Sequence, residues 1–262
     1  MKIYHKPYRL KKKKSILRNR FFWLTILILI IIGGLLYFVF FTPFFQIKEI
    51  QISGNQKVLT ENLQGRIQWV LSHEGNYIFL CNSNKINQEI LQFFPQIASI
   101  DTEIKFPDKL LVKIEERKPA AIFIYSDKYF LIDKEGVIFE ETFPNGDEYL
   151  KIKNPTLSQG FNLGSKVVEN DILTSILEIE SKLKGDFKIP LEEVIIASEQ
   201  RLNIKTLEGW EIYFNPRGDL DWQLTKLGAI LENRIPPEKR RNIGYIDLRF
   251  ERVYIFPENY NQ

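Results

Sequence analysis

An α+β fold carried behind a single membrane-spanning helix is what this 262-residue sequence predicts. Three observations lead there. Residues 21–41 (FFWLTILILIIIGGLLYFVFF) form an uncharged apolar block behind a basic N-terminus. Between residues 44 and 118 the apolar spacing passes from a period of two to a helical period and back again. Beyond Pro119 short alternating runs dominate, separated by turn residues and interrupted by two helical stripes. The expected architecture is thus a β-α-α-β-β unit, followed by a mixed unit dominated by an antiparallel sheet with flanking helices.

The apolar block is long enough to cross a bilayer. At about 1.5 Å per residue its length is roughly 31 Å, matching a hydrocarbon core of about 30 Å. Sixteen of its residues are Leu, Ile, Val or Phe, which together favour insertion by some 5–10 kcal/mol, counted at about 0.3–0.6 kcal/mol each. A cleaved signal peptide would need a shorter apolar core and small residues at its end, whereas Tyr37 to Pro43 is bulky. Nine cations (Lys2, Lys6, Arg9, Lys11 to Lys14, Arg18 and Arg20) and no acid precede the block. Positive charge stays inside, so residues 1–20 are expected to be a cytoplasmic tail and everything after Phe41 exported. The other 27 cations face all 33 acids, a formal charge of −6. The overall +3 therefore gives no reason to expect nucleic acid, and the Lys11 to Lys14 run fits anionic lipid headgroups.

From Phe44 to Ile52, Ile47, Ile50 and Ile52 alternate with polar residues, and Ser53-Gly54-Asn55 closes the run as a turn, predicting a strand. Thr60 stands at the N-cap of a helix whose Leu63, Ile67, Val70 and Leu71 share one face. A second helix starts at Ser83, with Ile86, Ile90 and Phe94 as its stripe, and Pro95 ends it. Two strands follow, Ile97 to Phe106 and Leu110 to Glu116, joined by a Pro107-Asp108 turn. On their apolar phases, Ile50, Ile52, Ile67, Ile90, Ile104 and Ile114 are expected to share a core.

After Pro119 the predicted strands are Ala120 to Tyr125, Tyr129 to Asp133, Val137 to Glu140 and Leu150 to Ile152, with turns at Ser126-Asp127 and Lys134-Glu135-Gly136. A helix over Val168 to Lys184 buries Ile172, Ile176, Ile179 and Leu183. Strands resume at Val194 to Ala197, Leu202 to Leu207 and Trp210 to Phe214. Asp219 caps a last helix through Leu220, Leu224, Leu227 and Leu231, and Tyr245 to Leu248 with Arg252 to Phe256 close the chain as a strand pair.

Little in the sequence assembles chemistry. Of two histidines, His5 lies in the basic tail, and His73 has only Cys81 as a nearby thiol. One exported His and the single Cys do not complete a zinc site, and one Cys forms no internal disulfide. No P-loop, G-x-G-x-x-G or G-x-S-x-G is present. Glu115-Glu116 and Glu140-Glu141 are neighbours in strands, so each pair points to opposite faces and does not flank one bond. Trp69, Trp210 and Trp222 line a sugar groove or fill cores, and core is the expectation. No catalytic residue, cofactor, metal or small-molecule substrate is expected.

The stretch Phe45-Gln46-Ile47-Lys48-Glu49-Ile50-Gln51-Ile52-Ser53-Gly54-Asn55 followed by Thr60 resembles the opening of a polypeptide-transport-associated (POTRA) domain. Pro95-Gln96-Ile97, Phe106-Pro107-Asp108-Lys109-Leu110 and Ile114-Glu115-Glu116-Arg117-Lys118-Pro119-Ala120 are similar to its FtsQ type. Leu131 to Phe139 (LIDKEGVIF), Lys226-Leu227 and Ile246-Asp247-Leu248-Arg249-Phe250 with Val253-Tyr254-Ile255 resemble the second domain of the FtsQ/DivIB bacterial cell-division proteins. Asn215-Pro216 departs from the pattern, since relatives usually carry a glycine there, and residues 154–164 have no counterpart.

The resemblance implies a POTRA domain over 44–118 and a C-terminal β domain over 119–262. It further implies a non-catalytic, single-pass scaffold at the division septum that binds FtsB/DivIC-type and FtsL-type coiled-coil proteins. The closing strands supply the expected partner-binding residues: Tyr245, Asp247, Leu248, Arg249, Phe250 and Tyr254. A terminal strand offers a sheet edge, Arg249 a fork of donors, and Phe250 and Tyr254 aromatic anchors. Alternatively, Arg249 pairs with a nearby acid such as Glu251. The rival functions are an anchored envelope enzyme acting on cell-wall glycan and an envelope assembly factor using its POTRA domain.

Overall fold

The computed structural model describes residues 20–143, 149–157 and 160–257. The basic tail expected over residues 1–20 lies, apart from Arg20, outside the described residues, as do Ser158 and Gln159 of the 154–164 segment. The apolar block forms helix α1 (Arg20–Phe41), none of whose residues is buried by the rest of the chain. By length and composition this bare apolar helix is able to cross a bilayer, which is consistent with a membrane anchor.

A three-stranded sheet follows. Its elements are β1 (Glu49–Ser53), α2 (Thr60–Glu74), α3 (Ser83–Phe93), β2 (Ile97–Lys105) and β3 (Lys109–Glu116). β3 lies at the centre, parallel to β1 and antiparallel to β2. Being paired on both sides, it buries its whole apolar phase, Leu110, Val112 and Ile114, against Leu63, Ile67, Val70, Ile86 and Ile90 of the helices. Thr102 is buried on the same side, and its hydroxyl donates to Asn87 Oδ1 at 2.6 Å. That bond satisfies the one polar atom the strand's alternation brings inward.

Two local expectations need correction. The first strand begins at Glu49 rather than Phe44, because Pro43–Phe45 is a short 3-10 turn and Ile47 is buried ahead of the ladder. Proline's fixed φ and missing N–H favour that turn over a ladder. Thr60 is the first helical residue and not the cap, which is Leu59; the Thr60 hydroxyl instead accepts from Asn55 Nδ2 at 2.9 Å. Gly54 adopts φ +90°, and a Cβ there would lie 2.0 Å from the Ile114 carbonyl oxygen, so the turn after β1 requires glycine.

All six core isoleucines named from the sequence fall in one cluster, yet unevenly. Ile67, Ile90 and Ile114 are buried, whereas Ile50, Ile52 and Ile104 pack partly exposed around its margin. Ile90→Ala is therefore expected to lower stability by about 2–5 kcal/mol, and Ile104→Ala by clearly less, since a marginal site loses less area and leaves no closed cavity. Chemical denaturation of both variants checks the order. Equal losses would place Ile104 deeper than the fold does.

Among the described residues the larger sheet has nine strands, in the order β12-β11-β10-β9-β8-β7-β4-β5-β6. β4 (Ala121–Tyr125), β5 (Lys128–Ile132) and β6 (Ile138–Thr142) form an antiparallel meander. β7 (Lys151–Lys153) and β8 (Leu191–Ser198) join parallel to β4, with α4 (Asn170–Gly185) as the crossover between them. β9 (Arg201–Thr206) and β10 (Glu211–Phe214) continue antiparallel. After α5 (Leu220–Asn233), β11 (Ile243–Asp247) pairs parallel to β10, and β12 (Tyr254–Pro257) pairs antiparallel to β11.

The stripes of α4 and α5 close over the sheet in one core with Phe123, Ile152, Ile204, Trp210, Ile212 and Phe214. Ser126 and Asp127 both take positive φ, the conformation a two-residue hairpin turn demands. Asp219 caps α5 as expected, accepting from Trp222 N at 2.9 Å. The Asn215 turn is held by buried Gln223, whose Oε1 accepts from Asn215 N at 2.8 Å while Nε2 donates to Asn215 O at 3.0 Å.

Candidate partner-binding edge

Glu116, Glu140, Glu141, His73 and Cys81, the residues weighed for chemistry in the sequence, make these contacts. Glu116 accepts from the backbone N–H groups of Gln56, Lys57 and Val58 at 2.7–3.0 Å, tying the loop before α2 to the end of β3. Burial pushes its carboxyl group up, but these donors and the Lys57 charge outweigh that and hold it below the ordinary glutamate value. A depressed folded value gives stabilisation that is complete above the unfolded value, about 4.3, and is lost as pH falls through the folded one. Glu116→Gln is expected to be less stable than the parent at neutral pH and to converge on it in acid. Denaturation midpoints measured against pH check this, and parallel curves would count against it.

Glu140 and Glu141 pair with Lys57 and Lys128 at 3.7 and 3.1 Å. His73 Nδ1 sits 2.8 Å from the Trp69 carbonyl oxygen. Burial raises the Cys81 thiol, which disfavours the nucleophilic thiolate. Among the described residues no cluster of three His, Cys, Asp or Glu is spaced to hold a metal ion. Of the tryptophans expected in cores, only Trp210 is buried. Trp69 is exposed and carries the Arg66 guanidinium 4.2 Å from its ring centroid, and the Phe93 ring centroid lies 4.5 Å from the same guanidinium. Trp222 is exposed in the first turn of α5.

At the far end of the large sheet the six residues expected to bind a partner fall into two groups. β11 is an interior strand, flanked by β10 and β12; β12 is the sheet's last strand, with β11 as its one neighbour among the described residues. Leu248 is 0% exposed and belongs to the core, and Asp247 is 6% exposed. Tyr245, Arg249, Phe250 and Tyr254 reach the surface to different degrees.

Arg249 is held by Asp247, not by Glu251. Its Nε donates to Asp247 Oδ1 at 2.9 Å and its Nη2 to Oδ2 at 2.6 Å, a fork-to-fork pair that raises the guanidinium's proton affinity further. Lys226 on α5 fixes the same turn, donating to the carbonyls of Leu248 and Phe250 at 2.7 and 2.6 Å. Burial lowers its affinity for the proton. With these carbonyls and the Asp247 carboxylate engaged, the turn presents Phe250 and Tyr254, 52% and 48% exposed, with their ring centroids 6.0 Å apart.

Beside them runs a ladder that the sequence reading missed. Tyr213, Tyr245 and Phe256, from β10, β11 and β12, stack at 4.6 and 4.5 Å with planes 23° and 21° apart. The Arg201 guanidinium from β9 lies 4.2 Å from the Tyr213 ring centroid. Tyr213 alternates with buried Ile212 and Phe214, so an outward aromatic in the strand before the closing pair was its signal. A shallow cleft of about 260 Å³ adjoins, lined in part by Trp222, Lys226, Arg249 and Phe250.

Comparison with known families bears on both units. Residues 45–117 match the family described as POTRA domain, FtsQ-type. Residues 121–249 match the family described as cell division protein FtsQ/DivIB, C-terminal. The chain belongs to the FtsQ/DivIB family. The second match ends at Arg249, so Phe250 and all of β12 lie beyond it. Among relatives, Cell division protein DivIB of Clostridium acetobutylicum is 25% identical over 80% of this chain and 81% of its own length. DivIB of Clostridium botulinum strain Hall is 26% identical over 95% of this chain and 94% of its own. Cell division protein FtsQ of Streptomyces bingchenggensis is 18% identical over 59% and 58%.

Proposed function

We propose that this chain is a non-catalytic, membrane-anchored scaffold of the bacterial division machinery. It is held by α1 at the septum, with the basic tail in the cytoplasm and the remainder exported as two units, residues 44–118 and 119–262. Its partners on this reading are small FtsB/DivIC-type and FtsL-type coiled-coil proteins. They are captured at the β12 edge by Tyr245, Arg249, Phe250 and Tyr254, with Asp247 and Leu248 holding that turn in place. The relatives' shared description as cell-division proteins supports the setting.

The observation that carries the proposal is the β12 edge with two exposed aromatic rings beside it. Free backbone N–H and C=O groups on an edge accept another strand, and outward side chains select which one. Co-purification of the full chain from membranes tests it. Small single-pass coiled-coil division proteins should be recovered with the folded chain. Recovery of the folded chain without them, or hydrolysis of cell-wall glycan by the pure chain, would overturn the reading.

A further inference from the structure

The end of α1 and the first unit are joined by a short chain of aromatic contacts that lies where a bilayer surface must be. The 3-10 turn Pro43–Phe45 separates α1 from the first unit by almost no free chain. The next residues are pinned to the α2–α3 loop: Ile47 N donates to Asn76 O and Ile78 N to Phe45 O, both at 2.9 Å, and Gln46 bridges to Tyr77. The loop that carries Phe79 and Leu80 is therefore fixed beside the point where α1 ends.

From Phe38 in the last turns of α1, ring contacts run to Phe45 at 5.8 Å, from Phe45 to Phe79 at 5.0 Å, and from Phe79 to Phe106 at 5.3 Å. Phe44 packs on Phe38 and Phe45 at 5.6 and 4.9 Å. Despite these contacts Phe44, Phe79, Leu80 and Phe106 remain 49, 47, 55 and 62% exposed. An apolar patch of this kind, continuous with a helix built for hydrocarbon, needs a cover.

We propose that Phe44, Phe79, Leu80 and Phe106 form a membrane-docking face that rests in the headgroup–acyl boundary on the exit side of α1. Lipid is the occupant the geometry favours. The patch is continuous through ring contacts with the spanning helix itself, and interfacial elements sink Phe and Leu side chains of this kind about 5–10 Å into the headgroup–acyl layer. Charges near the patch come in pairs, Lys48 with Asp108 at 3.9 Å, Lys109 with Glu49 at 2.7 Å and Lys105 with Glu103 at 3.4 Å, so each of these approaches the headgroups with a counter-charge beside it. Docked in this way, the first unit does not swing freely on α1, and the orientation of everything beyond it is set by the bilayer.

The test uses the full chain in vesicles of phosphatidylcholine and phosphatidylglycerol, with a nitrobenzoxadiazole label on one introduced cysteine. Cys81→Ser removes the native thiol; Phe79→Cys, Leu80→Cys and Phe106→Cys are the probes, and Gln200→Cys in the β8–β9 turn is the control. Leu80 makes no ring contact, so it keeps the test alive if loss of either Phe unfolds the unit. Expected at the probes are a blue-shifted emission and loss of quenching by aqueous iodide relative to position 200, unchanged on diluting protein in lipid. Solvent-like emission at all three probes would overturn the proposal. So would protection that vanishes on dilution, which would identify a second copy of the chain as the cover. Neither result depends on partner capture at β12.

Discussion

Asp133→Ala is expected to destabilise the protein by about 3–5 kcal/mol, the loss typical when one member of a buried ion pair is removed. Asp133 directly follows β5 and links the two sheets through Arg117. One carboxylate oxygen accepts from Arg117, just past β3, and the other from the backbone N–H groups of Glu135 and Val137, both at 3.0 Å. Arg117 in turn donates through Nε to the Pro95 carbonyl oxygen at 3.1 Å. The side chains of Arg117 and Asp133 are only 13% and 6% exposed. Alanine would leave a nearly buried guanidinium and two backbone N–H groups without their acceptor, and the turn through Gly136 would lose its anchor. That turn has no slack, because a Cβ on Gly136 would lie 1.9 Å from the Val168 carbonyl oxygen. Asp133→Asn keeps an acceptor for the backbone donors and is expected to lose about 1–3 kcal/mol, the range for a weakened buried hydrogen bond. Denaturant titration of both variants in detergent checks the order; an Asp133→Ala midpoint equal to the parent's would show that the junction is not where stability resides.

Most of this architecture was legible because burial imposes a period. α1, α2, α3, α4 and α5 each follow a stripe or block visible in the chain, and the strands of both sheets follow their alternation. The misreadings came where local chemistry overrode period. Phe44, Phe45 and Ile47 look like the start of a strand, but the Pro43–Phe45 segment forms a 3-10 turn and Ile47 is buried ahead of the ladder. Trp69 and Trp222 looked like core because large aromatics usually are, yet they are 45% and 54% exposed, Trp69 beside the Arg66 guanidinium and Trp222 at the rim of the cleft that Arg249 and Phe250 also line. At the candidate edge the sequence pointed to Phe250 and Tyr254 as aromatic anchors and left Arg249 either a donor fork for a partner or paired with a nearby acid such as Glu251. The residue that occupies Arg249 is Asp247, two positions back on the same side of the chain, and that choice depends on the turn that Lys226 holds from another element. Contacts made by distant residues, such as the Tyr213–Tyr245–Phe256 stack, leave only faint traces in a single sequence.

On the function proposed above, removal of residues 253–262 is expected to abolish capture of the proposed coiled-coil partners while the rest of the chain stays folded. The reasoning follows from where β12 sits. It pairs with β11 through Ile246–Ile255 and Tyr245–Phe256 but buries little of itself, so its loss leaves the core of α4, α5 and the central strands intact. What disappears is the edge that offers backbone pairing, together with Tyr254 and the last ring of the aromatic ladder. Arg249→Glu is a poorer probe, because it sets a second carboxylate against buried Asp247 and threatens the fold itself. A sharper one is Phe250→Ala with Tyr254→Ala, which leaves every backbone pairing in place. If these rings are anchors, each replacement is expected to weaken binding by about 2 kcal/mol, roughly 30-fold. Calorimetry with purified partner ectodomains, alongside circular dichroism of each variant, separates loss of binding from loss of fold. Undiminished affinity in the folded double variant would move the interface away from this turn, and undiminished affinity in the truncated chain would exclude the β12 edge altogether.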